Sequence, residues 1–348
     1  MKSFLLTLFF YPVLLFSQDK YEYKNLVMEG GGIRGLAYSG ALEILEQKGI
    51  LKNIDRVAGS SAGAIAGLIV SLGYNSFEID SILKTLKIQN FNDGKFFVGK
   101  IKRVKKEYGV FKGVRFEKWL AQLIEFKTGN ANITFSELHQ LHLTNKAFKD
   151  FYCTGTNITR QRLEILSWKS WPDMKLSTAV HISSCIPFYF KPVPIDNTGN
   201  EIPLNDSSTK YDLYVDGGML CNYPICMFDS CVDGDNPLTS DKVIFNPQTL
   251  GLKLERGEQI KEFDKNEEEI APYQIKNIKE YSGAVINLMM ESINRKPGLA
   301  NEKGRTIYIS YGDISGKLRK VSFNEKKFLH DNGVSAVDKF FDAPIVAK

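Results

Sequence analysis

The chain has 348 residues, 43% hydrophobic and 24% charged, with a formal net charge of +5. That supplies enough apolar material for one large core, and no repeat or disorder-type block interrupts it, which excludes a repeat array or an unfolded chain. Five cysteines are an odd number, and no His/Cys cluster has metal-ligand spacing, so neither a disulfide framework nor a zinc site is expected.

Met1-Lys2, an apolar run over residues 4–16 and then Ser17-Gln18-Asp19-Lys20 have the layout of a signal peptide cleaved after Ser17. The run is short for a membrane span, and an uncleaved anchor is the alternative. The expectation is an exported protein, periplasmic, cell-surface or secreted, with residues 18–348 as one domain.

Residues 25–28 read as an apolar strand. Glu29-Gly30-Gly31-Gly32-Ile33-Arg34-Gly35 follows, and then a helix over 36–48 stopped at Gly49. Consecutive glycines leave backbone N–H groups uncovered and a helix start adds positive potential, so this loop suits an anion, either a phosphate or a transition-state oxyanion. Gly30, Gly32 and Gly35 also satisfy the dinucleotide-binding glycine pattern. That fingerprint needs an acidic residue at the end of the second strand. Here the second strand, 56–58, runs straight into Gly59-Ser60-Ser61, and Asp55 lies at its wrong end.

Gly59-Ser60-Ser61-Ala62-Gly63 is a G-x-S-x-G pattern between that strand and an apolar helix over 62–72 stopped at Gly73. Such a turn exposes the serine hydroxyl at a helix N-terminus, where the dipole favours an oxyanion. The pattern is weak alone; the strand and helix around it strengthen it.

Between residues 91 and 119, nine lysines and arginines interleave with Phe91, Phe96, Phe97, Tyr108, Phe111 and Phe116. This composition suits docking on an anionic lipid surface, nucleic-acid phosphates or a solvated cap, and the lipid-facing version is preferred here. His139 and His142 fall in a mixed polar helix, and His181 reads as packed. Residues 196–212 and 229–241 read as polar surface loops. Between them Tyr214-Val215-Asp216-Gly217-Gly218 ends a strand, followed by Asn222-Tyr223-Pro224. An Asp beside two glycines at a strand end is a candidate base, although an ordinary Asp-Gly turn looks the same.

Further on, residues 243–254 are expected to return to the sheet, and 273–294 to form an amphipathic helix packed on it. Residues 306–310 read as a last strand and 325–341 as a closing helix. His330 is the only histidine after Asp216, as a Ser–Asp–His order would require, but it reads as an exposed helix end. Cys153 and Cys185 read as small buried hydrophobes; a bridge between Cys226 and Cys231, or one using Cys221, is left open.

The glycine loop, the elbow and the later D-G-G occur in an order that resembles the patatin-like phospholipase family. Ser183-Ser184-Cys185-Ile186-Pro187-Phe188-Tyr189-Phe190-Lys191-Pro192 resembles the family's segment before the D-G-G strand. The likeness spans about residues 24–225; Glu29 stands where the family often has Asp. It implies a three-layer α/β/α hydrolase with a mainly parallel central sheet. It also implies a catalytic dyad of Ser61 and Asp216, and an oxyanion hole from Gly30, Gly31 and Gly32 with Arg34 fixing the loop. Gly59, Gly63, Gly217 and Gly218 would shape the turns. No metal, calcium or other cofactor is implied. The implied substrates are acyl esters of lipids, phospholipids first, with no nucleic-acid partner. A broad carboxylesterase or lysophospholipase, or a catalytically silent lipid-binding protein, are the alternatives.

Overall fold

β1 (Asn25–Met28) is buried along its whole length, as an apolar strand in the middle of a parallel sheet must be. It pairs in parallel with β2 (Arg56–Gly59) on one side and with β11 (Thr249–Glu255) on the other. The parallel run extends to β12 (Thr306–Ser310) beyond β11 and to β4 (Asp150–Asn157) beyond β2. β4 then pairs antiparallel with β5 (Arg162–Ser167) and β8 (Asp212–Asp216), and β8 with β7 (Val193–Ile195). The outcome is an α/β fold around a mixed, mostly parallel sheet in the order β12-β11-β1-β2-β4-β8-β7, with β5 beside β4. This computed structural model describes residues 22–94, 103–204, 206, 208–232, 234, 236–240, 242–265, 271–273, 275–278, 280–281, 284–285, 288 and 300–342. The expected leader at 1–17, part of the basic stretch (95–102) and much of 273–294 lie outside those residues.

Alternation along the strands divides the core. Leu26, Met28, Val57, Phe151, Leu252 and Ile307 enter the larger, helix-covered core, while Val27, Ala58 and Tyr152 face the other side. The larger layer contains α1 (Tyr38–Gln47), α2 (Ala62–Ser71), α3 (Ser76–Thr85), α4 (Val114–Thr128), α5 (Phe135–Thr144), α6 (Leu176–Ser183) and α8 (Phe323–Asp342). α8 lies close on α1 because glycine meets backbone at their crossing. A Cβ at Gly40 would sit 2.0 Å from the His330 carbonyl oxygen, and one at Gly333 2.2 Å from that of Ala37. The opposite layer is thin. Its core is a 3-10 turn, Ile225–Phe228, beside a ribbon of β9 (Ser230–Cys231) and β10 (Val243–Ile244). At the β12 edge, Phe263 of α7 (Gly257–Asp264) packs on Tyr308 with ring centroids 4.9 Å apart.

Three expectations change. The helix after the glycine loop begins as a 3-10 turn, Gly32–Ala37, because the loop must double back at Gly32, whose φ is +58°. Residues 243–254 split, since Val243–Ile244 pairs with β9 and only Thr249–Glu255 joins the sheet. The apolar positions Ile275, Ile278, Tyr281, Val285 and Leu288 do not pack on the sheet; they are exposed, the β12 edge being already covered by α7.

Candidate active site

β2 delivers the chain into the elbow. Ser61 adopts φ 50°, ψ −119°, a left-handed-side conformation that costs a residue with a Cβ on the order of 1–3 kcal/mol. The neighbouring glycines leave no room for side chains. A Cβ at Gly59 would lie 2.3 Å from the carbonyl carbon of Gly63, and one at Gly63 2.2 Å from the carbonyl oxygen of Met28. Ser61 caps the N-terminus of α2 without spending its hydroxyl on the helix. Two serines that follow α6 into its end hold its backbone: the Ser61 N–H donates to Ser183 Oγ at 3.1 Å, and Ser184 Oγ donates to the Ser61 carbonyl at 3.3 Å.

The Ser61 hydroxyl instead donates to Asp216 Oδ2 at 2.8 Å. Asp216 ends β8, and its Oδ1 accepts the Gly218 N–H at 2.8 Å. Its own N–H donates to Cys185 O at 2.9 Å, and its carbonyl accepts the Thr156 hydroxyl at 2.9 Å. Gly217 is a glycine for steric reasons, because a Cβ there would stand 2.1 Å from Thr154 Oγ1. Burial raises the Asp216 pKa from 3.8 to about 7, with the bonds from Gly218 and Ser61 pulling the other way. The carboxyl is thus poised to exchange a proton near neutrality.

The glycine loop lies alongside. A Cβ at Gly30 would fall 3.1 Å from the Ser61 Cβ and 2.3 Å from Asn222 Oδ1. Gly30, expected among the oxyanion donors, has its N–H engaged by the Asn222 carbonyl at 3.0 Å. The amides of Gly31 and Gly32 carry no acceptor among the described residues. Asn222 Nδ2 also donates to Gly30 O at 3.1 Å and to Glu29 Oε1 at 3.2 Å. Glu29 Oε2 accepts the Leu254 N–H at 2.8 Å. The longer Glu29 side chain therefore ties the loop to β11. Arg34 fixes the far side, with Nε donating to Ile314 O at 2.7 Å and its guanidinium 3.6 Å from the Tyr311 ring centroid. Along the chain, the position of Asn222 shortly after D-G-G is the one signal of this role.

Ser61 opens into a narrow cleft of about 80 Å³. Apart from Ser61, Ser184 and glycines its lining is apolar, including Ile65, Leu86, Phe91, Phe116, Trp119 and Phe190. For Phe91, Phe111 and Phe116 this corrects the reading of 91–119 as an outward aromatic surface; Phe96 and Phe97 lie outside the described residues. Phe91, Phe111 and Phe116 are buried, and Phe91 and Phe116 are walls of the cleft. The Phe116/Trp119 spacing on α4 already placed both on one helical face. Of the aromatics in that stretch, Tyr108 is the exposed one among the described residues. It lies beside exposed Phe188 where β3 (Gly109–Phe111) pairs with β6 (Phe188–Phe190), and both have left-handed φ, 61° and 63°.

Three of the four histidines have other partners. His330 Nε2 lies 3.1 Å from Glu43 Oε2, so it is a half-buried link between α8 and α1 rather than an exposed helix end. His139 Nδ1 lies 2.7 Å from Asp150 Oδ1, and His142 Nδ1 2.9 Å from Phe148 O. His181 is buried. Among the described residues neither Ser61 nor Asp216 has an imidazole partner. None of the five cysteines forms a disulfide, and burial raises the pKa of Cys153 and Cys185.

A family profile described as patatin-like phospholipase matches residues 26–229. An uncharacterised protein of Acanthamoeba polyphaga mimivirus is 30% identical over 61% of this chain and 63% of its own length. A probable lipid hydrolase of invertebrate iridescent virus 6 is 29% identical over 66% of this chain and 71% of its own. The chain thus spans somewhat under two thirds of the mimiviral relative. The crystal structure of VipD from Legionella pneumophila superposes with a TM-score of 0.56 at 17% identity, over 92% of this chain and 67% of that one, a likeness of fold.

Proposed function

The chain belongs to the patatin-like phospholipase family, and from that membership we propose that it hydrolyses fatty-acyl esters of phospholipids through a covalent acyl-Ser61 intermediate. The observation that carries this reading is the 2.8 Å bond from Ser61 Oγ to Asp216 Oδ2 at the floor of an apolar cleft. In the first step Ser61 Oγ attacks the ester carbonyl carbon while Asp216 takes the hydroxyl proton. The carbonyl oxygen becomes an oxyanion facing the amides of Gly31 and Gly32. Collapse breaks the bond to the leaving alcohol, which receives the proton from Asp216. A water, deprotonated by Asp216, then attacks the acyl-enzyme, releases the fatty acid and returns the proton to Ser61. Each oxyanion donor contributes about 100- to 1000-fold in such reactions.

The apolar walls take the acyl chain, whose burial is favourable at roughly 25 cal/mol per Å². Tyr108 and Phe188, exposed next to Phe190 at the cleft, support contact with a lipid surface, assisted by the basic residues of 91–119. With the leader-like segment 1–17, the proposal includes export, the mature chain starting at Gln18.

The test is acyl release from mixed phospholipid vesicles, with fluorophosphonate labelling in parallel. Wild type should release fatty acid and be labelled on Ser61; Ser61→Ala should do neither. Labelling of wild type with no release from any lipid or simple ester would overturn the hydrolase reading.

A further inference from the structure

Behind the cleft walls Phe116 and Phe190, against which the His181 ring packs, three side chains from separate elements converge. Glu117 comes from α4, His181 from α6 and Glu201 from the loop after β7, and one ligand atom from each lies within 4.8 Å of the others. Sequence separations of this size carry no metal motif, so the group was invisible along the chain. His181 is 1% exposed, and neither ring nitrogen has a hydrogen-bond partner among the described residues. Its Nε2 is closed off by Gly113, where a Cβ would come within 2.2 Å. Its Nδ1 faces Glu117 Oε2 at 3.8 Å, too far for a hydrogen bond. Thr178 Oγ1 holds the other Glu117 oxygen at 3.1 Å and so aims the carboxylate. A buried imidazole with both nitrogens unsatisfied is costly to a fold, and such a cost points to an absent partner.

We infer that Glu117, His181 and Glu201 form a binding site for a divalent cation of borderline softness, such as Zn²⁺ or Co²⁺. One imidazole and two carboxylates suit these ions better than Mg²⁺ or Ca²⁺, which take all-oxygen sets. Ligand bonds of about 2.0–2.2 Å need the donors nearer one another than 4.8 Å. Glu201 is on the exposed rim and can swing in. Water completes the coordination from the polar cavity of about 420 Å³ lined by Glu117, Thr178 and Glu201. Two lysines oppose the ion: Lys191 Nζ stands 3.8 Å from Glu201 Oε1, and Lys175 also lines the cavity. They balance the carboxylates in its absence, and Lys191 must yield Glu201 when it enters.

The ion would act by stapling walls together. α4 carries Phe116 and Trp119 of the cleft, and α6 leads into Ser183 and Ser184, which hold the Ser61 backbone. The site lies apart from the reacting atoms, and its existence does not depend on the hydrolase reading.

The experiment is a Co²⁺ titration of the chelator-stripped full chain, followed by visible absorption and calorimetry. One equivalent should bind, giving d–d bands without a thiolate charge-transfer band, which separates this site from the cysteines. Changing an outer-shell partner typically weakens a metal about 10- to 100-fold, and Glu117→Gln or Glu201→Gln should weaken it at least that much. Lys191→Gln should tighten it. Circular dichroism establishes that each variant is folded. Stoichiometric binding unchanged in Glu117→Gln and Glu201→Gln, a thiolate band, or no uptake by wild type would each overturn the inference.

Discussion

Replacing Asp216 with Asn separates the two consequences of burying this carboxyl. The amide keeps the shape and can still accept the Gly218 N–H, but it cannot take a proton from Ser61. Loss of a general base costs typically about 100- to 10,000-fold in kcat. The same change should remove a pH-dependent strain. Asp216 is raised from 3.8 to about 7 by burial, so the folded state binds its proton more tightly than the unfolded state does. A raised pKa contributes stability that is full below the unfolded value and is lost as pH rises through the folded one. The whole interval corresponds to roughly 4 kcal/mol at about 1.4 kcal/mol per pKa unit. Of this, roughly 2–3 kcal/mol falls between about pH 5 and about pH 8. Other groups titrate in that range, so the quantity to measure is the difference between wild type and Asp216→Asn. Urea unfolding of both proteins across this range gives it directly. The variant should gain on wild type steadily as pH rises, by roughly 2–3 kcal/mol in total. A difference that stays flat from about pH 5 to about pH 8 would refute the account of Asp216 as a strained, burial-raised carboxyl.

Catalysis should mirror that titration: the ionised Asp216 is the base, so kcat/KM for a soluble ester should rise with pH and level off above about 7. A rate independent of pH between about 5 and 9 would count against Asp216 as the base. Ser61→Gly should be inactive yet melt at a higher temperature than Ser61→Ala, because glycine relieves the positive φ, a gain on the order of 1 kcal/mol. Leu86→Trp, which fills the cleft beyond Ser61, should cut kcat/KM for long-chain esters at least tenfold more than for acetyl esters, on the order of 1.4 kcal/mol or more of differential binding. Equal losses for both would place the acyl chain elsewhere. Gly63→Ala should prevent folding to a soluble product, since its Cβ would press on the Met28 carbonyl at 2.2 Å; soluble expression with a native melting profile is the contrary result.

The sequence by itself determined the parts of this protein in which neighbours along the chain do the physical work. The G-x-S-x-G turn, the glycine run and D-G-G each specify a backbone path through local steric limits, so the strand–turn–helix units around Ser61 and the strand end at Asp216 were readable. The short apolar runs that become the buried strands β1 and β2, and the stops at Gly49 and Gly73, were readable for the same reason. Tertiary structure decided what meets across the chain. It brought the Asp216 carboxylate to Ser61 over 155 residues, and no local pattern encodes that distance. It spent the Gly30 amide on Asn222, leaving Gly31 and Gly32 open. It turned Phe91 and Phe116 inward, because a basic, aromatic stretch has the same composition whether its rings face lipid or line a cleft; only the packing of α4 against the turn at Ile88–Phe91 decides. Glu117, His181 and Glu201 are joined by packing alone, since helix and loop contacts between remote segments follow from the shape of the whole core and not from any spacing along the chain.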